Sequence, residues 1–250
     1  PPLTIIYKAT NKDYKIAYKE IEDHYCSHDI FFIEEDNFKS SLKTTLSNLT
    51  SKYIFFLVDD IIFKSIFSFD DYIALPDRDK YIFSLRLGIN LNSCYTKGQR
   101  QSLPNFGQVG QFLLWSWKKG MLDWHYVFSV DGNLYERHEL LIATKLVDFE
   151  GPNSFEANLN ILKFFFRRKR GICYTESKLV NVVLNRVQNE IPNRSGKFVT
   201  QELLAIWKKN KKIDIFFFRD IKNTSAHAEI TKLPLKMRQN DRNHRFDGSL

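Results

Sequence analysis

The stretch Tyr53-Ile54-Phe55-Phe56-Leu57-Val58-Asp59-Asp60 places two adjacent carboxylates directly after an apolar run of strand length. Two earlier apolar runs precede it, Leu3–Tyr7 and Ile30–Ile33. A helical pattern follows each of them, over Tyr14–Tyr25 and Phe38–Leu49. Continuous apolar runs are typical of strands that are covered on both faces. The order strand, helix, strand, helix, strand therefore predicts an α/β fold with a mostly parallel central sheet and flanking helices.

Polar residues follow each of the three predicted strands, at Thr10–Asp13, at Glu34–Asp36 and at the pair Asp59-Asp60. In sheets of this kind, ligands bind beyond the carboxyl ends of the strands. Two adjacent carboxylates repel each other unless a cation neutralises them, and Mg²⁺ and Mn²⁺ prefer such oxygen ligands. The structural alternative for the pair is an N-cap for a helix that begins at Ile61.

The rest of the chain predicts further elements of one domain. The predicted strands are Tyr81–Leu87, Tyr126–Val130, one within Ile172–Val183, and Ile213–Phe218. The predicted helices are Tyr135–Leu146, Ser154–Phe166 and Thr200–Lys209. No internal repeat or low-complexity linker divides the chain, so we expect a single domain over residues 1–235 and a frayed basic tail over residues 236–250.

Composition excludes some classes of protein and leaves others open. The 250 residues carry 37 basic and 29 acidic side chains, a formal net charge of +8. This charge favours anionic partners, namely nucleotides, nucleic acid or an anionic membrane surface. No apolar run reaches the roughly 18 residues that a membrane-spanning helix needs. A signal peptide is not expected, and three scattered cysteines indicate a reducing compartment, so we expect a cytoplasmic location.

The run around Asp59-Asp60 resembles the Asp-X-Asp region of nucleotide-sugar glycosyltransferases with the GT-A fold, above all the inverting, family 2-like enzymes. Val58 stands where the first Asp of that motif would be. The resemblance implies that Asp60 holds a metal ion, Mn²⁺ or Mg²⁺, and that Asp59 lies near the ribose or the metal. It also implies that Thr10 and Asn11 belong to the loop that contacts the nucleotide base.

Later segments resemble the same family in the same order. Phe128–Tyr135 resembles the segment near the donor sugar and the acceptor, which contains Asp131. Phe149–Leu159 resembles the region of the catalytic carboxylate, which implies Glu156 as general base. Further residues implied by the resemblance are Asp36 at the base or ribose, His227 as a late metal ligand, and Glu150 as the second choice of base.

Each of these side chains also has a structural interpretation. Glu156 suits a helix N-terminus, Asp131 before Gly132 suits an ordinary turn, and a lone histidine such as His227 is more often a surface residue. Arg86, in the stretch Ser84-Leu-Arg-Leu-Gly88, is a cation next to a strand, and it would contact a phosphate or an acceptor acid, or else pair with a structural carboxylate. The aromatic cluster Trp115–Tyr126 suits a core, with Trp124 as the best candidate for contact with an acceptor.

The sequence thus predicts a metal-dependent glycosyltransferase of glycan biosynthesis, including cell-surface polysaccharide, that uses a nucleotide-diphospho-sugar donor and a glycan or lipid-linked acceptor. Three alternatives stay open. They are a nucleotide-sugar-binding protein without activity, another metal-dependent nucleotidyl or phosphoryl transferase, and a nucleic-acid-binding protein, for which no recognition motif is present.

Two basic runs, Arg167–Arg170 and Lys208–Lys212, complete the list of sequence features. Phe164-Phe165-Phe166 lies beside the first of them. Cationic side chains near an anionic bilayer contribute about 1 kcal/mol each. The runs are therefore either solvated surface or a peripheral contact with the inner face of a membrane.

Overall fold

The computed structural model describes residues 2–166, 168–184, 196–219 and 221–238. The α-helices are α1 Lys12–His24, α2 Phe38–Asn48, α3 Phe69–Ile73, α4 Arg137–Leu146, α5 Pro152–Leu159, α6 Lys163–Phe166 and α7 Thr200–Lys208. The strands are β1 Leu3–Tyr7, β2 Ile30–Glu34, β3 Tyr53–Phe55, β4 Ile61–Phe63, β5 Tyr81–Ser84, β6 Ser93–Cys94, β7 Gln99–Arg100, β8 Gly107–Val109, β9 Phe112–Trp115, β10 Asn133–Glu136, β11 Arg170–Cys173, β12 Leu179–Val183, β13 Lys211–Ile213, β14 His227–Glu229 and β15 Leu235–Met237. Short 3-10 helices lie at Arg78–Lys80, Trp117–Lys119, Leu122–His125, Asn160–Leu162 and Ile215–Phe218.

The first predicted βαβ unit is confirmed. β1 and β2 pair in parallel, from Leu3 opposite Ile30 to Tyr7 opposite Glu34, and α1 connects them. Asn11 begins α1, because its side-chain oxygen accepts hydrogen bonds from the backbone N–H groups of Asp13 and Tyr14. The chain is therefore a mixed α/β protein, as the sequence predicted.

The prediction of a mostly parallel central sheet is wrong. The largest sheet has six strands in the order β3-β10-β5-β11-β9-β8, and among its pairings only β5 with β11 is parallel. β10 runs antiparallel to both of its neighbours, β3 and β5, and it follows a turn at Asp131-Gly132 in which Gly132 has a φ of +96°. Apolar runs reveal that a strand is buried but not which way it runs, so this strand direction could not be predicted from them.

A second, three-stranded sheet adjoins the first, in the order β14-β12-β4. It changes the interpretation of the apolar run before Asp59-Asp60. The predicted strand ends at Phe55, the Ile61 N–H donates to the Val58 carbonyl at 3.2 Å to close a turn, and β4 begins at Ile61. Because a strand and not a helix follows Asp60, the helix-cap alternative is wrong.

Two other predicted strands have different structures. Tyr126–Val130 forms no strand within the described residues, and Ile213–Phe218 is mostly a 3-10 helix. In the latter, the Asp214 side chain accepts a hydrogen bond from the Phe216 N–H and begins a helical turn. At the C-terminus, β15 pairs with β13, so the domain boundary predicted at Lys236 falls inside a strand, and residues 239–250 lie outside the described part of the chain.

The core assigns the aromatic cluster a structural role. Trp115, Trp117 and Trp124 are fully buried, and the Trp115 indole N–H donates to the Trp124 carbonyl at 3.1 Å. Trp124 is therefore not available to contact an acceptor, and that prediction is wrong. No helix in the described ranges is long and apolar enough to cross a bilayer.

Gly171 offers a test of the packing between β11 and β9. A Cβ atom on Gly171 would lie 2.2 Å from the buried Trp115 ring, whereas one on Gly107 would meet nothing closer than 3.9 Å. We expect Gly171→Ala to lower the free energy of unfolding by about 1–3 kcal/mol, because the ring has no free space into which to move. Gly107→Ala is the matched control and should change it by less than about 1 kcal/mol. Urea denaturation measures both, and equal effects would show that the ring packs elsewhere.

Candidate functional site

The strand directions bring separate parts of the chain to one edge of the six-stranded sheet. β3 and β5 both run antiparallel to β10, so the ends of β3 and β5 lie beside the beginning of β10. The residues that follow β3 and β5 include Asp59-Asp60 and Arg86, and the residue two before β10 is Asp131. Because β10 is antiparallel to its neighbours, its beginning, and with it Asp131, lies at the same edge as the ends of β3 and β5. A parallel β10 would have placed Asp131 at the opposite edge of the sheet.

Arg86 forms the buried centre of this site. Its Nη2 donates to Asp123 Oδ1 at 2.9 Å, and both side chains are buried. Gln101 fixes Asp123 from the other side, since its Nε2 lies 3.3 Å from Asp123 Oδ2. Nε and Nη1 of Arg86 have no hydrogen-bond partner among the described residues. Arg86 therefore pairs with a structural carboxylate, which was one of its two predicted roles. Its Nε and Nη1 remain as hydrogen-bond donors near the other acids of the site.

Asp131 connects the two sheets. Its Oδ2 lies 3.2 Å from His227 Nε2, and its Oδ1 lies 3.5 Å from Asn181 Nδ2. Burial by itself would raise the pKa of Asp131, but the hydrogen bond and charge of His227, with the nearby charge of Arg86, hold the pKa below its ordinary value. Asp131 is therefore an ionised carboxylate held in a fixed orientation.

Glu156 lies on α5, on the other side of Asp131. Its Oε1 accepts from the Val130 N–H at 3.1 Å, and the Ser129 side chain also hydrogen-bonds it. Burial, with the charge of Asp131, raises the pKa of Glu156 to about 7, although Arg86 and these hydrogen bonds act in the opposite direction. A carboxyl with such a pKa exchanges protons near neutral pH, as general acid-base catalysis requires.

The Asp59-Asp60 turn is the third part of the site, beside Asp131 and Glu156. The Asp60 carbonyl accepts from the Val182 N–H at 2.8 Å, which anchors the turn to β12. Burial, then the charges of Asp59 and Asp131, raise the pKa of Asp60 to about 7. Asp59 is exposed, yet surrounding protein also raises its pKa. The exposure and the raised pKa of Asp59 are compatible. Solvent reaches its carboxylate, while nearby protein excludes much of the water that would otherwise surround it.

The residues predicted to contact the nucleotide are less closely gathered. Asn11 is the N-cap of α1, and Thr10 and Asp36 are exposed beyond the ends of β1 and β2. One contact links this region to the acidic turn. The charge of Asp59, after burial, raises the pKa of Tyr18 on α1, which places α1 close to Asp59.

The site has the chemistry of a divalent cation site without a preassembled ligand set. Asp60, Asp59 and Asp131 offer hard oxygen ligands, and their mutual repulsion would be relieved by a cation. His227 Nδ1 is buried without a hydrogen-bond partner within the described residues. Among all the residues that the structure describes, no three His, Cys, Asp or Glu side chains form a group close enough to hold a metal. The donor atoms therefore fit Mn²⁺ or Mg²⁺, and binding would require them to draw together.

An open cavity of about 480 Å³ is lined in part by His227. Its lining includes two cations, Arg100 and Lys222, and the hydroxyl groups of Ser93 and Thr224. Cationic and hydroxyl side chains can hydrogen-bond to a polar, oxygen-rich ligand, and the cavity has room for such a ligand beside His227.

Sequence reasoning missed two residues that position the site. Asn181 stands opposite both Ile61 of β4 and His227 of β14, so it aligns the strands that carry the Asp59-Asp60 turn and His227. Ser129 hydrogen-bonds both Glu156 and the Asp131 N–H. The Asn within the apolar run Leu179–Val183 was a signal for the first, because a polar residue in a buried strand needs a partner.

Comparisons with protein-family models, with curated proteins and with solved structures found no match to this chain.

Glu156 should make stability depend on pH. Between the ordinary pKa of a glutamate and about 7, the native state keeps a proton that the unfolded state has lost, so native stability falls as pH rises through this window. Glu156→Gln removes the titration while the amide oxygen can still accept from Val130. Relative to the wild type, we expect this variant to gain roughly 1–3 kcal/mol of unfolding free energy between pH 5 and pH 8.

Urea denaturation at several pH values measures this difference. Glu150→Gln is the control, because Glu150 is an exposed carboxylate at the entry to the same helix. A difference between Glu156→Gln and wild type that stays constant with pH would show that Glu156 titrates normally.

Proposed function

We propose that this protein is a metal-dependent glycosyltransferase. It transfers a sugar from a nucleotide-diphosphate donor to a hydroxyl of a glycan or lipid-linked acceptor, by direct displacement with inversion. The observation that carries the proposal is the convergence of Asp60, Glu156 and His227 on Asp131, whose charge Arg86 offsets. These residues come from distant parts of the chain, and the resemblance to the family had selected each of them.

Asp60 and His227 are the residues that would hold the metal, with Asp59 beside them. When bound, a divalent ion neutralises the charge that develops on the departing diphosphate. Asp131 accepts a hydrogen bond from His227 through Nε2, which orients the imidazole ring and leaves its second nitrogen for another ligand. Thr10, Asn11 and Asp36 would contact the nucleoside, because they follow the strands next to α1, which approaches Asp59.

Glu156 is the general base of the proposed reaction. Its carboxylate takes the proton of the acceptor hydroxyl as that oxygen forms a bond to the anomeric carbon. The bond from the anomeric carbon to the diphosphate breaks, and the nucleoside diphosphate leaves with the electron pair. The pKa of about 7 allows Glu156 to be substantially ionised at neutral pH and to become protonated during transfer. The base requires no covalent intermediate, in keeping with inversion.

Arg86 positions these acids. Its charge lies near both Asp131 and Glu156, where it limits their mutual repulsion. Since Asp123 already binds one nitrogen of Arg86, the guanidinium cannot turn toward one acid alone. Arg86 is thus a positioning residue for the reaction.

Nucleotide binding provides the first test. A panel of nucleoside diphosphates, each with and without Mn²⁺, should contain one that raises the melting temperature by roughly 5–10 °C at saturation, and only with the metal. Asp60→Asn should abolish the metal-dependent part, because Asp60 is a proposed ligand. Asp29→Asn, at an exposed position before β2, is the control and should keep it.

The outcomes separate the alternatives. Stabilisation by DNA or RNA and by no nucleotide would contradict a transferase. Metal-dependent nucleotide binding without turnover of any nucleotide sugar would identify an inactive binding protein. Release of inorganic phosphate or pyrophosphate from a nucleoside triphosphate would instead identify a phosphoryl or nucleotidyl transferase.

Turnover provides the second test. With the nucleotide sugar that matches the stabilising nucleotide, and a panel of simple glycosides as acceptors, Glu156→Gln should lower the rate of diphosphate release by about 10²–10⁴-fold. Donor binding, measured by calorimetry, should change less than about threefold, because Glu156 contacts the acceptor. Glu150→Gln should retain the wild-type rate. Full activity of Glu156→Gln would assign the base to another residue.

A further inference from the structure

One surface of the protein exposes large apolar side chains from two neighbouring segments. We call it the aromatic-basic surface and define its apolar part by five residues: Ile142, Leu146, Ile161, Phe164 and Phe165. Exposed apolar groups of this size, collected in one place, are typical of surfaces that contact a protein or a membrane.

The first segment is the helical stretch that ends in α6. Ile161, Phe164 and Phe165 are spaced three and four residues apart and so share one face of the stretch, with exposed fractions of 69%, 69% and 75%. Phe166 points the other way and is buried against Phe128, with ring centroids 4.5 Å apart. Since Phe166 anchors the stretch to the core, the exposure of the two other phenylalanines is a fixed feature of the fold.

The second segment is the outer face of α4. Ile142 and Leu146 have exposed fractions of 49% and 64% and share this face with Glu139. The Glu139 carboxylate lies 2.7 Å from Lys169 Nζ, just after α6. This salt bridge ties α4 to the chain that follows the phenylalanines, so the two apolar segments adjoin.

Cations surround these apolar groups. Lys145, Arg168 and Arg170 are exposed, and Lys163 is half-buried. Arg167 lies outside the described residues. Two acids on this side, Glu136 and Glu139, share Lys169, whose Nζ lies 3.8 Å and 2.7 Å from their carboxylates. The surface therefore has apolar tips within a ring of net positive charge.

We propose that the aromatic-basic surface docks the protein onto an anionic lipid bilayer. The tips of Phe164, Phe165 and Leu146 enter the region between head groups and acyl chains, while the cations contact lipid phosphates. A second copy of the chain fits this surface poorly, because a symmetric contact would bring the same cations face to face. The helices here are too short to span a bilayer, so the contact is peripheral and weakens as salt screens the cations.

Sedimentation with vesicles, without nucleotide or metal, tests the proposal independently of the catalytic site. The protein should sediment with vesicles of phosphatidylcholine mixed with phosphatidylglycerol, much less with phosphatidylcholine alone, and less at high salt. Phe164→Ser/Phe165→Ser should lower the partition coefficient at least about tenfold. Arg168→Glu should lower it about tenfold, because it removes a cation and adds an anion.

Ile66→Ser is the matched control, since Ile66 is 72% exposed in a different part of the chain, and it should bind vesicles as the wild type does. Two results would overturn the proposal. One is binding that is absent or independent of lipid charge. The other is a dimer, measured by light scattering, that the double phenylalanine variant dissociates. Circular dichroism confirms that the variants are folded, and exposed serines at these positions leave Phe166 and the core in place.

Discussion

The buried guanidinium of Arg86 is the interaction on which the candidate site depends. Asp123 holds one of its nitrogens at 2.9 Å, and Gln101 holds Asp123. Without this charge, Asp131 and Glu156 would lie close together in a medium that solvates anions poorly, and their repulsion would separate β10 from α5. The acidic centre can therefore exist because a cation is buried beside it, two residues after β5, with its own carboxylate partner.

The distribution of protonation states follows from this arrangement. Asp131 receives the hydrogen bond of His227 and stays ionised, whereas Glu156 and Asp60 have pKa values near neutrality. Acids of the same chemical type thus have different properties within one cleft, because their partners differ. A fixed anion beside two groups that exchange protons is suited to chemistry in which one acid orients and another accepts a proton.

How far the sequence predicted the structure depends on the kind of signal involved. The β1-α1-β2 unit was readable, because its apolar runs and its cap at Asn11 are local. Five candidate side chains were readable as well, and the structure places Asp60, Arg86, Glu156 and His227 near Asp131, while their roles stay predictions. The direction of β10 and the strand that follows Asp60 were not, because strand direction and pairing are decided by distant partners. Asn181 shows the same limit, since its role appears only when β4 and β14 lie on either side of β12.

The small sheet β14-β12-β4 has a consequence for the order of folding. Its three strands come from separate regions of the chain, and each pairing must close a long loop before any contact offsets the entropy lost. The β1-α1-β2 unit and the β8-β9 hairpin need no such closure and can form early. Asp60 lies just before β4 and His227 begins β14, so the acidic centre is complete only when both strands have joined β12. A partly folded chain would then contain most of the core but not the acidic centre. The presence of the acidic centre therefore marks the finished fold.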